Sequence, residues 1–279
     1  MQKKKFEDPL KNLNITYRRG KDLEEWARFE STFKAYNIKL RQLFIIYDRH
    51  CDRFPSYHKN MEYSRRLIEA TKKGEILKLT EQESNEFDKT RKDMILCEID
   101  YEDFFIHGRI LMDFITRLMP FFFNQDIVFS NRYYSGLPEI YTSFEKHKKW
   151  FKQTKISKGY PSHNHIPGEY REYITEKTEW FNDLRYFRDR YLVHPLYFGS
   201  RGFMTKKESN TTMPIFFHAK GGYKTPVMEL PDIEKIMNNI IDFLNFLNDF
   251  LKYFLTGTRY ITIAEWKTDR DIEDTLYNY

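Results

Sequence analysis

The 279-residue chain has only two cysteines, Cys51 and Cys97, too few for a disulfide framework and in no CxxC or Cys/His spacing that would hold zinc. Both are expected as buried thiols on helices. Glycine is sparse, and its 11 residues form neither GxGxxG nor GxxxxGK[ST], which excludes the dinucleotide-binding turn and the Walker phosphate loop. GxSxG and HExxH are missing too, so conventional hydrolase chemistry has no support. No apolar run reaches the roughly 18 residues of a membrane span. The longest, Ile110 to Phe123 and Ile240 to Leu255, are broken by Asp113, Arg117, Asp242, Asp249 and Lys252 and are expected as buried amphipathic helices, with no membrane partner. The basic N-terminal stretch is not followed by an apolar segment, so a secretory signal is not expected and a cytoplasmic location is. There is no internal repeat and no low-complexity tract. Excess of one charge is slight, 46 Lys+Arg against 41 Asp+Glu, and does not by itself select a nucleic-acid partner.

Aromatic residues are abundant, 25 Phe and 20 Tyr, and they recur at helical spacing. From Asp22 to about Arg53 the residues Trp26, Phe29, Phe33, Tyr36, Ile38 and Leu43 predict one long helix, closed by the "FPSYHK" stretch. A weaker helix is expected over Met61 to Lys72, ending near Gly74. "TEQE" at Thr80 to Glu83 is a capping box, and the helix it opens meets no breaker before Pro120. Its core stripe reads Met94, Cys97, Tyr101, Phe104, Phe105, Gly108, Leu111, Met112, Ile115, Leu118 and Met119. Gly108 costs about 1 kcal/mol of helix propensity, which implies close approach of a neighbour. Glu98, Glu102, Arg109, Asp113 and Arg117 fall on the opposite stripe.

A short helix follows at Thr142 to Lys152, and a further one runs from near Glu169 to the stretch Tyr186 to Pro195, with Tyr173, Lys177, Phe181, Leu184, Phe187 or Arg188, and Tyr191 on one face. Strand-like runs at Gly202 to Thr205 and Met213 to His218 suggest a β-hairpin. The last helix, opened by Pro231 and Asp232 and closed by Gly257, is apolar almost all round and is expected to be central. The expected fold class is all-α: a bundle of four to five long helices with a short β-hairpin-like insertion before the last one. The expected divisions are an N-terminal arm and helical extension (1–79), a bundle (80–256) with its insertion at 196–230, and a C-terminal tail (257–279).

Chemistry concentrates in "YFRDRYLVHP", Tyr186 to Pro195. Arg188 lies four residues after Leu184 and seven after Phe181, so it shares their apolar side. A guanidinium there is either a buried structural ion or an anion-binding group. Pro195 pushes His194 out of the helix, which frees the imidazole to swing back toward Arg188, while helical phase alone would pair His194 with Arg190. One arginine and one histidine suffice for metal-independent RNA cleavage, because guanidinium grips phosphate and imidazole moves the proton of a 2′-hydroxyl near neutral pH. The alternative is a salt-bridged helix end, with His194 capping carbonyls and Arg188 paired to Asp113 or Glu102. The basic, aromatic segments Lys148 to Tyr160 and Ser200 to Lys207 are candidate RNA surfaces. His163, His165 and Glu169 form an incomplete ligand set, so no metal and no cofactor is expected.

The stretch "LRYFRDRYLVHP" resembles the signature of HEPN (higher eukaryotes and prokaryotes nucleotide-binding) domains: an arginine, often followed by Asp or Asn, then a histidine after four to six residues near the end of a bundle helix. Here Arg188, Asp189 and His194 match, with five residues between the arginine and the histidine. "EIDYEDFFIHGRILMDFITRL" is similar to the acid-rich second element of such domains. The resemblance covers about Thr80 to Leu255, and the β-like segment departs from the minimal bundle. It implies a homodimer that brings two Arg/His pairs into one cleft, and in many members a metal-independent endoribonuclease of toxin, defence or stress systems, with RNA as substrate and a protein antitoxin or regulator as partner. Other members bind RNA, nucleotide or protein without catalysis. Carried over, Arg188 would hold the scissile phosphate, His194 would be the acid/base and Asp189 would orient one of them. Arg190 would contact the backbone, with Asp100 or Asp103 behind it; Lys148, Lys149 and Lys152 of the basic segment are the other candidate substrate contacts.

Overall fold

The computed structural model describes residues 10, 23–74, 79–123, 139–153, 163, 166–187, 199–205, 212–218, 227–229 and 232–257. Among them are three long helices, α1 (Leu23–Lys72), α2 (Glu81–Phe122) and α6 (Ile233–Gly257). Three short ones lie between α2 and α6: α3 (Phe144–Phe151), α4 (Gly168–Glu172) and α5 (Phe181–Phe187). The helical, all-α character expected from the sequence is present, in a similar number of helices but with a different division of their lengths. Three extended segments, β1 (Gly199–Thr205), β2 (Thr212–His218) and β3 (Val227–Glu229), pair antiparallel in that order, with Gly202 opposite Ile215 and Phe216 opposite Met228.

The stop expected at "FPSYHK" does not occur, because α1 runs through Pro55. A proline inside a helix forfeits one backbone bond and costs about 3 kcal/mol. Contacts with α2 beyond it offset that cost. Asn60 Nδ2 donates to Phe87 O and to Thr90 Oγ1, both at 3.1 Å, and Tyr63 OH donates to Glu86 at 2.9 Å. Lys59 pairs with Glu86, and Arg66 with Glu83. Gly74, at φ 71°, ends the turn after α1 in the left-handed conformation that suits glycine.

The capping box forms as its spacing predicts. Thr80 N donates to Glu83 Oε2 at 3.0 Å and Glu83 N donates to Thr80 Oγ1 at 3.2 Å. From Cys97 to Met119 the expected stripe of α2 is buried apart from Tyr101, and Gly108 is buried with it. Arg109, placed by phase on the polar stripe, is only 5% exposed.

The expected single helix from Glu169 to the Arg/His motif is in fact two. A wide π turn, Tyr173–Lys177, follows α4, and a turn at Thr178 to Trp180 precedes α5. Thr175 Oγ1 donates to the carbonyls of Arg171 (2.9 Å) and Glu172 (3.1 Å), which competes with the regular ladder. The wide turn also lays Tyr173 flat on Phe246, with ring centroids 3.7 Å apart, while Ile174 is sealed from solvent. Lys177, expected on the buried face, is exposed. Helix α6 likewise differs from a helix apolar all round: Lys235, Asn238, Asp242, Asn245, Asp249 and Lys252 make one exposed stripe at three- and four-residue steps. Asp232 Oδ1 caps it, accepting from Glu234 N (2.9 Å) and Lys235 N (3.1 Å).

The residues fall into two compact units. The first comprises Ile38–Leu111 and Thr178–Asn238. Its core includes Leu40, Leu43, Tyr47, Phe104, Phe105, Phe181, Leu184 and Met237, none more than 1% exposed. The second includes Met112–Lys177 with helical residues 23–37 and 239–257. It is built on aromatic side chains: Phe29 meets Phe121 and Phe122 edge to face, and Phe144 meets Phe243.

Candidate functional site

Of the residues singled out from the sequence, Arg188, Asp189, Arg190 and His194 lie outside the described residues, as does His165. The helix that leads to them is described. Helix α5 is seven residues long, too short to hold itself, so its orientation is set by what it touches. The turn before it supplies carbonyls to its first amides: Phe181 N donates to Thr178 O, Asn182 N to Glu179 O and Asp183 N to Trp180 O, at 3.2, 2.9 and 3.2 Å. Phe181 (1%) and Leu184 (0%) face inward, and Asn182, Asp183 and Tyr186 face out. The Arg109 guanidinium lies over the Phe181 ring, 4.8 Å from its centre.

The lysines do not share one environment. Lys148 is on the inward side of α3 at 6% exposure, Lys149 is exposed and paired with Glu145 at 2.6 Å, and Lys152 is exposed just past the helix end. Asp100 is buried and ion-paired to Arg49 (2.7 Å) and Arg53, so it fastens α2 to α1. Asp103 is half-buried. Asp113, one acid suggested as a partner for Arg188, accepts the Phe144 amide at 2.9 Å and so caps α3 from across the unit.

Two polar clusters carry no sequence signature beyond isolated histidines. In the first, His50 Nδ1 donates to Cys97 O at 3.1 Å, and Cys97 Sγ lies 3.4 Å from the same nitrogen. Burial pushes the Cys97 thiol up to about 12, aided by Asp100 and Glu98, and burial also lowers His50. A protonated thiol beside a neutral imidazole whose proton is already committed is not a nucleophile pair. In the second, fully buried His147 reaches Tyr170 OH through Nε2 at 3.1 Å, ringed by Tyr141, Trp150 and Phe151. Burial drives its pKa down to about 3. Arg171 donates to His163 Nδ1 at 3.2 Å, and His163 Nε2 faces Gln153 O at 3.4 Å, so this imidazole is spent on the loop beside α3. Both clusters tie helices together. Among the described residues, no group of three His, Cys, Asp or Glu could hold a metal ion, and no helix is long and apolar enough to cross a membrane.

Compared with protein-family models, with curated proteins and with solved structures, the chain matches none.

Proposed function

We propose that the protein is a HEPN-like, metal-independent endoribonuclease, a defence or stress effector acting as a cytoplasmic homodimer under the control of a protein antitoxin or regulator. Arg188 grips the scissile phosphate, His194 moves the proton and Asp189 orients them, with Arg190 and the exposed Lys149 and Lys152 along the RNA backbone. The paired strands β1 to β3 are a β-hairpin insertion between this motif and α6. One observation carries the reading: α5 turns Phe181 and Leu184 inward, and Arg188 follows Leu184 by one helical repeat, so a continued helix puts a guanidinium on the inward side where only a bound anion or a carboxylate repays it.

The test is RNA cleavage by purified protein in EDTA. Wild type is expected to cut, and Arg188→Ala and His194→Ala are each expected to abolish cutting with the circular-dichroism spectrum unchanged. Cutting that survives in both variants, or that EDTA stops, refutes the reading. RNA binding that weakens with salt and survives His194→Ala, with no cutting by wild type, would instead identify a non-catalytic helical module.

A further inference from the structure

A single isoleucine in water needs no explanation, but four stand about half exposed on the α1–α2 pair of the first unit: Ile38 (47%) and Ile45 (57%) on α1, Ile95 (48%) and Ile99 (46%) on α2. Their spacing is regular. From 38 to 49 the exposed residues of α1 are Ile38, Arg41, Ile45 and Arg49, at steps of three, four and four. They make one stripe, about 16 Å long at 1.5 Å per residue, in which an aliphatic group and a guanidinium alternate. Arg49 carries the stripe to α2, because its guanidinium holds Asp100 at 2.7 Å; Ile99 precedes Asp100 in the chain, and Ile95 lies one turn earlier. Over 91–99 the exposed residues of α2 are Arg91, Lys92, Ile95 and Ile99. Every exposed charge in the two spans is therefore positive, while the acids within them, Asp48, Asp93 and Glu98, are half-buried. Asp100 does not cancel the excess, since its one charge is shared between Arg49 and Arg53.

We propose that this stripe docks an acidic amphipathic helix of a partner protein, with aliphatic side chains against Ile38, Ile45 and Ile99 and carboxylates against Arg41 and Arg49. Apolar groups repeating at three- and four-residue steps among charges of one sign are half of a helix–helix seam, and the complementary half carries the opposite sign. A second copy of the chain fits poorly, because a two-fold axis through Ile45 sets Arg41 of one chain against Arg49 of the other. RNA would find cations in the stripe but no exposed aromatic face on which a base could stack. A membrane-surface helix sinks its apolar face to the acyl boundary, which isoleucines half covered by their own helices do not reach. The proposal is independent of the nuclease reading, so either can fail and leave the other standing.

The experiment titrates the full chain into two fluorescein-labelled synthetic helices and reads anisotropy. Both helices carry leucine at alternating three- and four-residue steps; one has glutamate at the flanking positions and the other lysine. The glutamate helix should bind and the lysine helix should not. Ile45→Ser and Arg41→Glu should each weaken the glutamate helix by about tenfold or more with the circular-dichroism spectrum unchanged, and Arg41→Glu should bring the lysine helix closer to it in affinity. Ile68→Ser removes an isoleucine that is just as exposed (56%) but outside the stripe, and should leave binding as it was. Raising the salt should weaken binding without abolishing it, because the apolar contacts remain. Equal binding of the two helices, binding of neither, or binding that Ile45→Ser leaves intact overturns the proposal. So does a different occupant: polyuridine, phosphatidylserine vesicles or a second copy of the chain, bound by wild type and lost in both Ile45→Ser and Arg41→Glu.

Discussion

His147 and Tyr170 meet at 3.1 Å, imidazole Nε2 to phenol oxygen, with both side chains sealed from solvent. Each is bound by the same constraint. A charge on either would stand in an aromatic enclosure, so burial lowers the pKa of the imidazole and raises that of the phenol well above its ordinary value. The His147 half of the pair therefore contributes to how the fold responds to acid.

The sign follows from linkage. His147 titrates near 6.5 in the unfolded chain and near 3 when folded, so between those values only the unfolded state takes up the proton. Stability that is complete above pH 6.5 is lost as pH falls toward 3, at up to about 1.4 kcal/mol per pH unit from this residue. His50, also lowered by burial, acts in the same direction. Unfolding free energies at pH 7.5 and 4.5 should differ by about 3 kcal/mol more in wild type than in His147→Gln, as read by urea titration. Equal pH dependence in the two proteins would remove His147 from this role.

Asp100 is buried between two arginines that keep part of their exposure, 46% for the Arg49 side chain and 26% for Arg53. Removing the carboxylate charge leaves its own site underfilled with hydrogen bonds but lets both cations turn to water, so the loss is below that of a fully buried pair. Asp100→Asn should cost about 2 kcal/mol, seen as a lower urea midpoint at unchanged slope, whereas Arg49→Ala should cost less than about 1 kcal/mol. A larger effect from Arg49 than from Asp100 would reverse this assignment.

With its pKa near 12, Cys97 holds about one part in ten thousand as thiolate at pH 8, against roughly a quarter for an ordinary exposed thiol. Burial also raises Cys51. Ellman's reagent should therefore leave the native protein essentially untouched over a time in which the urea-unfolded chain releases two equivalents. Prompt reaction of either thiol in the native state would mean that the α1–α2 contact opens readily.

Legibility in the sequence followed the range of the interaction concerned. Thr80 with Glu83 and Asp232 with Glu234 are local pairs, and both caps were readable from spacing alone. The α2 stripe was readable because one period governs it from Cys97 to Met119. Pro55 misled because what carries α1 past it, the bonds from Asn60 and Tyr63 to Phe87 and Glu86 of α2, is tertiary. The π turn at Tyr173–Lys177 inserts its extra residue with no composition mark, so a single 3.6-residue period drawn through it put Lys177 inside. Arg109 was phased correctly relative to its helix and still misjudged, since α5 covers the face that the phase left for solvent. Lys148 reads as one basic residue among several, and only the packing of α3 separates it from Lys149.

The two ends of the α1–α2 pair are held by different forces. Around Tyr47, Phe104 and Phe105 the helices meet through closed aromatic surface, which ions in solution do not reach. Toward Gly74 they meet through Lys59 with Glu86 and Arg66 with Glu83, all partly in water, where the Debye length falls from about 10 Å at 0.1 M salt to about 3 Å at 1 M. Ionic strength therefore acts selectively on this antiparallel pair, loosening the outer ion pairs while the buried Asn60–Thr90 bond and the aromatic turns keep their grip, so that salt-driven fraying starts at the Gly74 end and stops at Asn60.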